Sequence, residues 1–197
     1  DHGIGKKFHT GVRQQSGLNP NLSVCGDFFA ALSSENAAAI KEPSDYSYGN
    51  NGFYLRELEL SVVAPLDPFT RGKSFISITE EAICIEEAYM EWLNLPLNMN
   101  VKLGIFNAEF GILNRYHDHA LSQFDRPKVL TNFFTNGNFG GTGIAGNFLL
   151  PALLGADATI FDLSIISAGT GVSFANSETI NMVAVGNFTS FYDITEN

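Results

Sequence analysis

Leu58-Glu59-Leu60-Ser61-Val62 and Val101-Lys102-Leu103-Gly104-Ile105 alternate apolar with polar or very small residues. A two-residue period belongs to an extended strand with one apolar face and one wet face. The beat recurs along most of the 197 residues and predicts strands near 20–32, 53–64, 72–80, 83–93, 99–107, 141–150, 157–167 and 179–192. The chain is therefore expected to be all-β. Two architectures satisfy such a pattern: a soluble sandwich with its apolar faces stacked, or a sheet closed around water with lipid outside.

The period assigns faces. In the second strand Leu58, Leu60, Val62 and Ala64 share one face, and Glu57, Glu59 and Ser61 share the other. Arg56 then falls on the apolar face, and is expected near a rim where its long side chain reaches water. In the fifth strand Met99, Val101, Leu103 and Ile105 oppose Asn100, Lys102, Gly104 and Phe106. The fourth strand switches parity between Ile83/Ile85 and Ala88/Met90/Trp92. One extra residue, a β-bulge at Glu86-Glu87, restores the beat and turns Cys84, Glu86, Tyr89 and Glu91 to the polar side. Glu57, Glu59, Glu86, Tyr89, Glu91 and Lys102 are thus the expected lining of a hydrated interior. The last three strands alternate too irregularly to assign faces in this way.

The connectors sort by length. Turns at Pro65-Leu66-Asp67-Pro68 and Leu95-Pro96-Leu97-Asn98 and the brief connection 151–156 fall at one end of the sheet. The longer links 33–52, 108–140 and 168–177 fall at the other, with the tight Glu80-Glu81 reversal as an exception. Short turns inside and long loops outside are the habit of outer-membrane barrels, and Trp92 beside the Pro96 turn suits an interfacial aromatic girdle.

Composition shifts the balance further. Charged residues make up 16% of the chain, against about 25% in ordinary soluble domains. No apolar run reaches the roughly 18 residues of a spanning helix, but a barrel strand crosses with only about 10. The net charge of -10 argues against nucleic acid as a partner. Beyond Lys128 there is no basic side chain, while Asp157, Asp162, Glu178, Asp193 and Glu196 remain. A lumen with this balance favours cations. The chain opens on Asp1-His2-Gly3 with no recognisable signal peptide, and a processed form is expected.

Three segments carry a resemblance. Asn19-Pro20-Asn21-Leu22-Ser23-Val24-Cys25-Gly26-Asp27-Phe28 resembles the first strand of Gram-negative outer-membrane porin-like proteins, and Phe53-Tyr54-Leu55-Arg56-Glu57-Leu58-Glu59-Leu60 resembles their second. Residues 102–111 are similar to a strand-to-loop segment of the phosphate-selective porin O/P group. The resemblance implies a transmembrane antiparallel β-barrel of about sixteen strands, with this chain supplying the N-terminal half. Residues 1–18 would be a periplasmic segment and 19–197 the barrel strands. It further implies a bacterial outer-membrane channel for passive diffusion of small polar solutes or ions. Contact with outer-membrane lipid is implied too, alone, as a homo-oligomer or within a larger membrane assembly. Phosphate selectivity does not follow, because such pores are lined by Lys and this chain is acidic. Loop 108–140 would fold inward as the constriction, presenting Arg115, His117, Asp118, His119, Asp125, Arg126 and Lys128.

Other chemistry finds little support. His117-Asp118-His119 offers imidazole and carboxylate, but the sequence shows no third or fourth ligand near it, and no metal is expected. Cys25 and Cys84, on strands one and four, lie three strand spacings of about 4.8 Å apart in a barrel, too far for a disulfide. Phe139-Gly140-Gly141-Thr142-Gly143 lacks the Lys of a phosphate-binding loop, and no Ser stands in a Gly-x-Ser-x-Gly elbow. No enzyme and no cofactor are expected. Two rivals stay open: a non-conducting outer-membrane barrel that anchors or scaffolds an assembly, and a soluble secreted β-sandwich that binds carbohydrate. The glutamates could serve the latter as a catalytic pair, but a single Trp provides no sugar-stacking platform.

Overall fold

The structure, a computed structural model, describes residues 20–32, 51–134, 138–167 and 182–193. The expected periplasmic segment 1–18 and the connectors 33–52 and 168–177 fall outside these residues, apart from Asn51 and Gly52. Eight strands form one antiparallel meander: β1 (Asn21–Ala31), β2 (Gly52–Asp67), β3 (Thr70–Ile78), β4 (Ile83–Leu95), β5 (Met99–Asn107), β6 (Gly140–Leu150), β7 (Ala158–Ser167) and β8 (Met182–Phe191). Each strand pairs with its sequence neighbours, and the predicted segments coincide with the observed ones to within a few residues. The fold is all-β as expected. It is not a closed barrel: among the described residues β1 and β8 are edges and do not pair with each other. No helix among the described residues is long and apolar enough to cross a membrane, which leaves crossing by strands open.

Register explains why two faces of opposite character emerge. Met90, Leu103, Ile144, Ile165 and Ala184 form one continuous row across β4 to β8. Val24, Leu60, Ile76 and Ile85 form another across β1 to β4. The row Met99, Phe148, Phe161, Phe188 lies near the short-turn end. Register thereby settles the faces of β6 to β8 that alternation left open. On the opposite face, Cys25, Glu59, Ser77 and Cys84 form one row, and Arg71, Glu91 and Lys102 form another.

Two bulges keep these rows in phase. In β4, Phe75 pairs with Glu87 and Ile76 with Ile85, so Glu86 is the extra residue, where the parity switch predicts it. In β2, Asp27 pairs with Glu57 and Phe28 with Leu55, so Arg56 is extra. Arg56 therefore does not sit at a rim: the bulge turns it onto the polar face, where it is buried. Both cysteines are free and exposed, on strands one and four of the sheet.

Residues 108–139 join β5 to β6. They hold two short 3-10 turns (Leu113–Arg115, Asp118–Ala120) and helix α1 (Lys128–Phe133). Its described residues lie on the polar face, against which they build the small core of Phe106, Ala108, Phe134, Phe139, Ala145 and Ile166. Phe134 stacks on Phe139 at 4.9 Å, and Phe110 meets both rings edge-on at 5.6 Å.

Gly104 is the residue around which this face bends. Its φ is +143°, and a Cβ there would stand 2.2 Å from Ala88 O and 2.7 Å from Tyr89 Cα. Tyr89 pairs directly with it. Gly104→Ala should cost about 1–3 kcal/mol, combining strained backbone with a clash against main chain. Urea or thermal unfolding in the protein's own detergent or buffer checks this; an unchanged midpoint contradicts it.

Candidate functional site

The densest chemistry lies where the 108–139 connection crosses β2 and β4. Alternation brings Glu57 and Glu59 to the polar face of β2, and the β4 bulge adds Glu86 and Glu87. Glu57 and Glu59 are 3% and 6% exposed, a degree of burial that carboxylates tolerate only with partners. The connection supplies them. His117 Nδ1 lies 2.8 Å from Glu59 Oε2 and is hydrogen-bonded to Glu86. His119 Nδ1 lies 3.5 Å from Glu57 Oε2 and 3.7 Å from Glu59 Oε2. The two imidazole rings are 6.0 Å apart, and Phe75 covers His117 at 5.0 Å. Burial works against a charged His117, but the bond and charge of Glu86, followed by Glu59 and Glu87, outweigh it and raise the pKa to about 9.

A second anchor holds the same segment. Arg56 forms an ion pair with Asp27, donates hydrogen bonds to Phe124 O (2.6 Å) and Asp118 O (2.9 Å), and lies 4.8 Å over the Phe124 ring. Arg126 does not face the cluster. It is buried in the connection itself, bonded to Asp118 Oδ1 (2.7 Å) and to the carbonyls of Tyr116 (2.5 Å) and Leu113 (3.2 Å). Asp118 thus orders the turn between the two histidines.

The other expected residues distribute as follows. Tyr89, Glu91 and Lys102 lie on the polar face beyond the cluster. Glu91 takes Arg71 at 2.7 Å and Lys73 at 3.2 Å, while Lys102 reaches Glu109 (3.6 Å) and the faces of Tyr89 and Phe106. Arg115 pairs with Glu109 at 2.5 Å. Asp125 and Lys128 are exposed, so neither belongs to the cluster. Lys73 and Arg71 are cationic neighbours on the polar face that alternation places there but the sequence reading omits. Away from the glutamate cluster, the polar face is closer to neutral than the net charge suggests.

Asn114 is the residue no sequence signal marks. Fully buried, it donates to Ala108 O (2.8 Å) and Phe139 O (2.7 Å) and accepts from Phe139 N (2.7 Å), pinning the start of the connection to its end. A buried side-chain amide that closes a loop by main-chain bonds leaves no trace in periodicity.

Among the described residues, two groups of side chains have donor spacing suited to a metal: Glu57, Glu59 and His119; and Glu59, Glu86 and His117. The donor neighbours of His117-Asp118-His119 that the sequence does not place are the strand glutamates beneath it.

The chain is 30% identical over 160 residues to an uncharacterized protein of Aquifex aeolicus (strain VF5). The match covers 73% of this chain and 34% of that protein, so the chain spans about a third of the length of the curated relative it matches. No protein-family model matches the sequence, and no solved structure matches it.

Asn114→Ala should free the connection from the polar face, because it removes three buried bonds and leaves main-chain groups unpaired. The expected cost is roughly 2–4 kcal/mol. A spin label at the exposed Asp125 (Asp125→Cys) in a Cys25→Ser, Cys84→Ser background should become markedly more mobile. Mobility equal to that of the parent contradicts the pinning role.

Proposed function

We propose that this chain is a sector of a bacterial outer-membrane β-barrel of porin type. The sheet would be completed by further strands pairing with the free edges of β1 and β8, and small polar solutes or ions would diffuse through its hydrated interior. The observation that carries the reading is the side on which the long connection lies. The described residues of this connection pack against the polar face, while among the described residues the apolar face stays uncovered, with Leu22, Val24, Ile85, Leu103, Ile144 and Ile165 among its exposed members. A sandwich covers its apolar face first. Each large apolar side chain left in water forgoes roughly 1.5–3 kcal/mol. About half a dozen of them would equal the ~5–15 kcal/mol net stability of a typical domain. Hydrocarbon against that face removes the cost.

Three further features agree. Strands of 9 to 16 residues meet the roughly 9–11 needed to span a bilayer. Trp92, Phe148, Phe161 and Phe188 band the apolar face near the short turns, as an interfacial girdle would. Free edges in lipid would cost several kcal/mol per unpaired backbone group, so closure follows from the membrane reading. In this reading the connection 108–139 is the inward-folded loop that narrows the lumen. Beyond the glutamate cluster, Arg71 and Lys73 pair with Glu91, and Lys102 and Arg115 pair with Glu109. A lumen lined unevenly in charge in this way would sort solutes by sign.

The protein reconstituted into planar bilayers should give steady conductance, and deleting residues 112–127 should increase it. Absence of conductance from both forms would favour a non-conducting scaffold. A protein that stays monodisperse without detergent would sink the membrane reading altogether.

A further inference from the structure

We propose that Glu57, Glu59, Glu86, His117 and His119 form a binding site for a divalent first-row transition-metal ion, which clips the 108–139 connection to the wall of the sheet. Two donor groups share Glu59, and within each group the potential ligand atoms lie within 4.8 Å of one another. Tetrahedral ligands at about 2.1 Å from one ion stand about 3.4 Å apart; His119 Nδ1 lies 3.5 and 3.7 Å from Oε2 of Glu57 and of Glu59, and His117 Nδ1 lies 2.8 Å from Glu59 Oε2.

What points to a ligand is the state of the donors. Glu57 and Glu59 are more than nine-tenths buried, yet Glu57 Oε1 and Glu59 Oε2 have no hydrogen-bond donor aligned on them. Glu59 Oε2 is near His117 Nδ1 but out of line with it, and His119 Nδ1 is likewise buried without a hydrogen bond. These unfilled atoms belong to three residues, two on the strand and one on the loop, that make up one of the two donor groups. Buried carboxylate oxygens left unpaired are costly unless a cation is supplied. The neighbouring cationic groups leave these oxygens without a hydrogen bond: the Arg56 guanidinium is engaged by Asp27 and by two loop carbonyls, and His117 Nδ1 bonds Glu86. Glu87, buried beside the cluster, accepts from Asn107 N and adds negative charge.

The donor set chooses the class of ion. Two imidazoles with carboxylates suit Zn²⁺ and its first-row neighbours, whereas Ca²⁺ and Mg²⁺ favour all-oxygen shells. Histidines from the connection and glutamates from β2 and β4 would make the ion a cross-link between a loop and a wall 30 or more residues away in sequence. The site does not depend on the membrane reading, since its ligands all lie within this chain.

The test is Zn²⁺ titration of the EDTA-stripped full chain, with a chromophoric chelator as competitor, in a Cys25→Ser, Cys84→Ser background that removes thiols as ligands. Saturable binding is expected, with Ca²⁺ failing to compete. Glu59→Gln, and His117→Gln with His119→Gln, should each weaken binding by at least about tenfold. Zn²⁺ should also immobilise a spin label at Asp125→Cys. If the variants misfold, Co²⁺ in the parent decides: visible d–d bands distinct from the aqua ion are expected. An aqua-like spectrum, no Zn²⁺ binding, or binding indifferent to these substitutions in folded protein would overturn the site.

Discussion

A sheet whose two faces differ so completely in polarity must answer for each of them, and the segment 108–139 answers for the polar one. That choice governs everything else. A long connection with five phenylalanines (110, 124, 133, 134 and 139) could have covered the leucines and isoleucines across the sheet. Instead it lies on the side of the glutamates, and it brings histidine and arginine to meet them. Among the described residues the apolar face stays uncovered, and lipid hydrocarbon is what the proposed function sets against it.

The connection is held by two unlike anchors. Toward β5 to β8 it is held by apolar packing around Phe106, Phe134, Phe139 and Ile166, with Asn114 closing the main chain behind them. Toward β1 to β4 it is held by charge: His117 and His119 over Glu57, Glu59 and Glu86, and Arg56 bridging Asp27 to the loop carbonyls. The apolar anchor needs no particular ionisation state. The charged one does, and it is also where buried donor atoms remain unfilled. The proposed metal clip lies at the second anchor, where docking depends on charge.

The strands were legible because each is long enough for a two-residue beat to stand out, and the sheet is a simple meander. The Glu86 bulge was legible for a related reason: the apolar positions change parity between Ile85 and Ala88. The same signal lies in β2, where Phe53 and Leu55 give way to Leu58 and Leu60, and it would have placed Arg56 on the polar face rather than at a rim. The glutamate–histidine cluster was legible only by halves. Its strand members follow from alternation and its loop members from the His-Asp-His run. Their meeting is set by how a 32-residue connection folds back, and Asn114, Phe134 and Phe139 decide that through contacts no local pattern encodes. Closure of the sheet, expected from the sequence, is not a property of the eight described strands by themselves.

The most direct test of the account is which face of the sheet touches lipid tails. Single cysteines carrying a small fluorophore can be placed at Leu103→Cys, Ile144→Cys and Leu163→Cys, and at their neighbours Lys102→Cys, Ala145→Cys and Ser164→Cys, in proteoliposomes containing brominated lipid and lacking the native thiols. The account predicts strong quenching at 103, 144 and 163 and little at 102, 145 and 164. Equal quenching at both sets, or none at either, would contradict it.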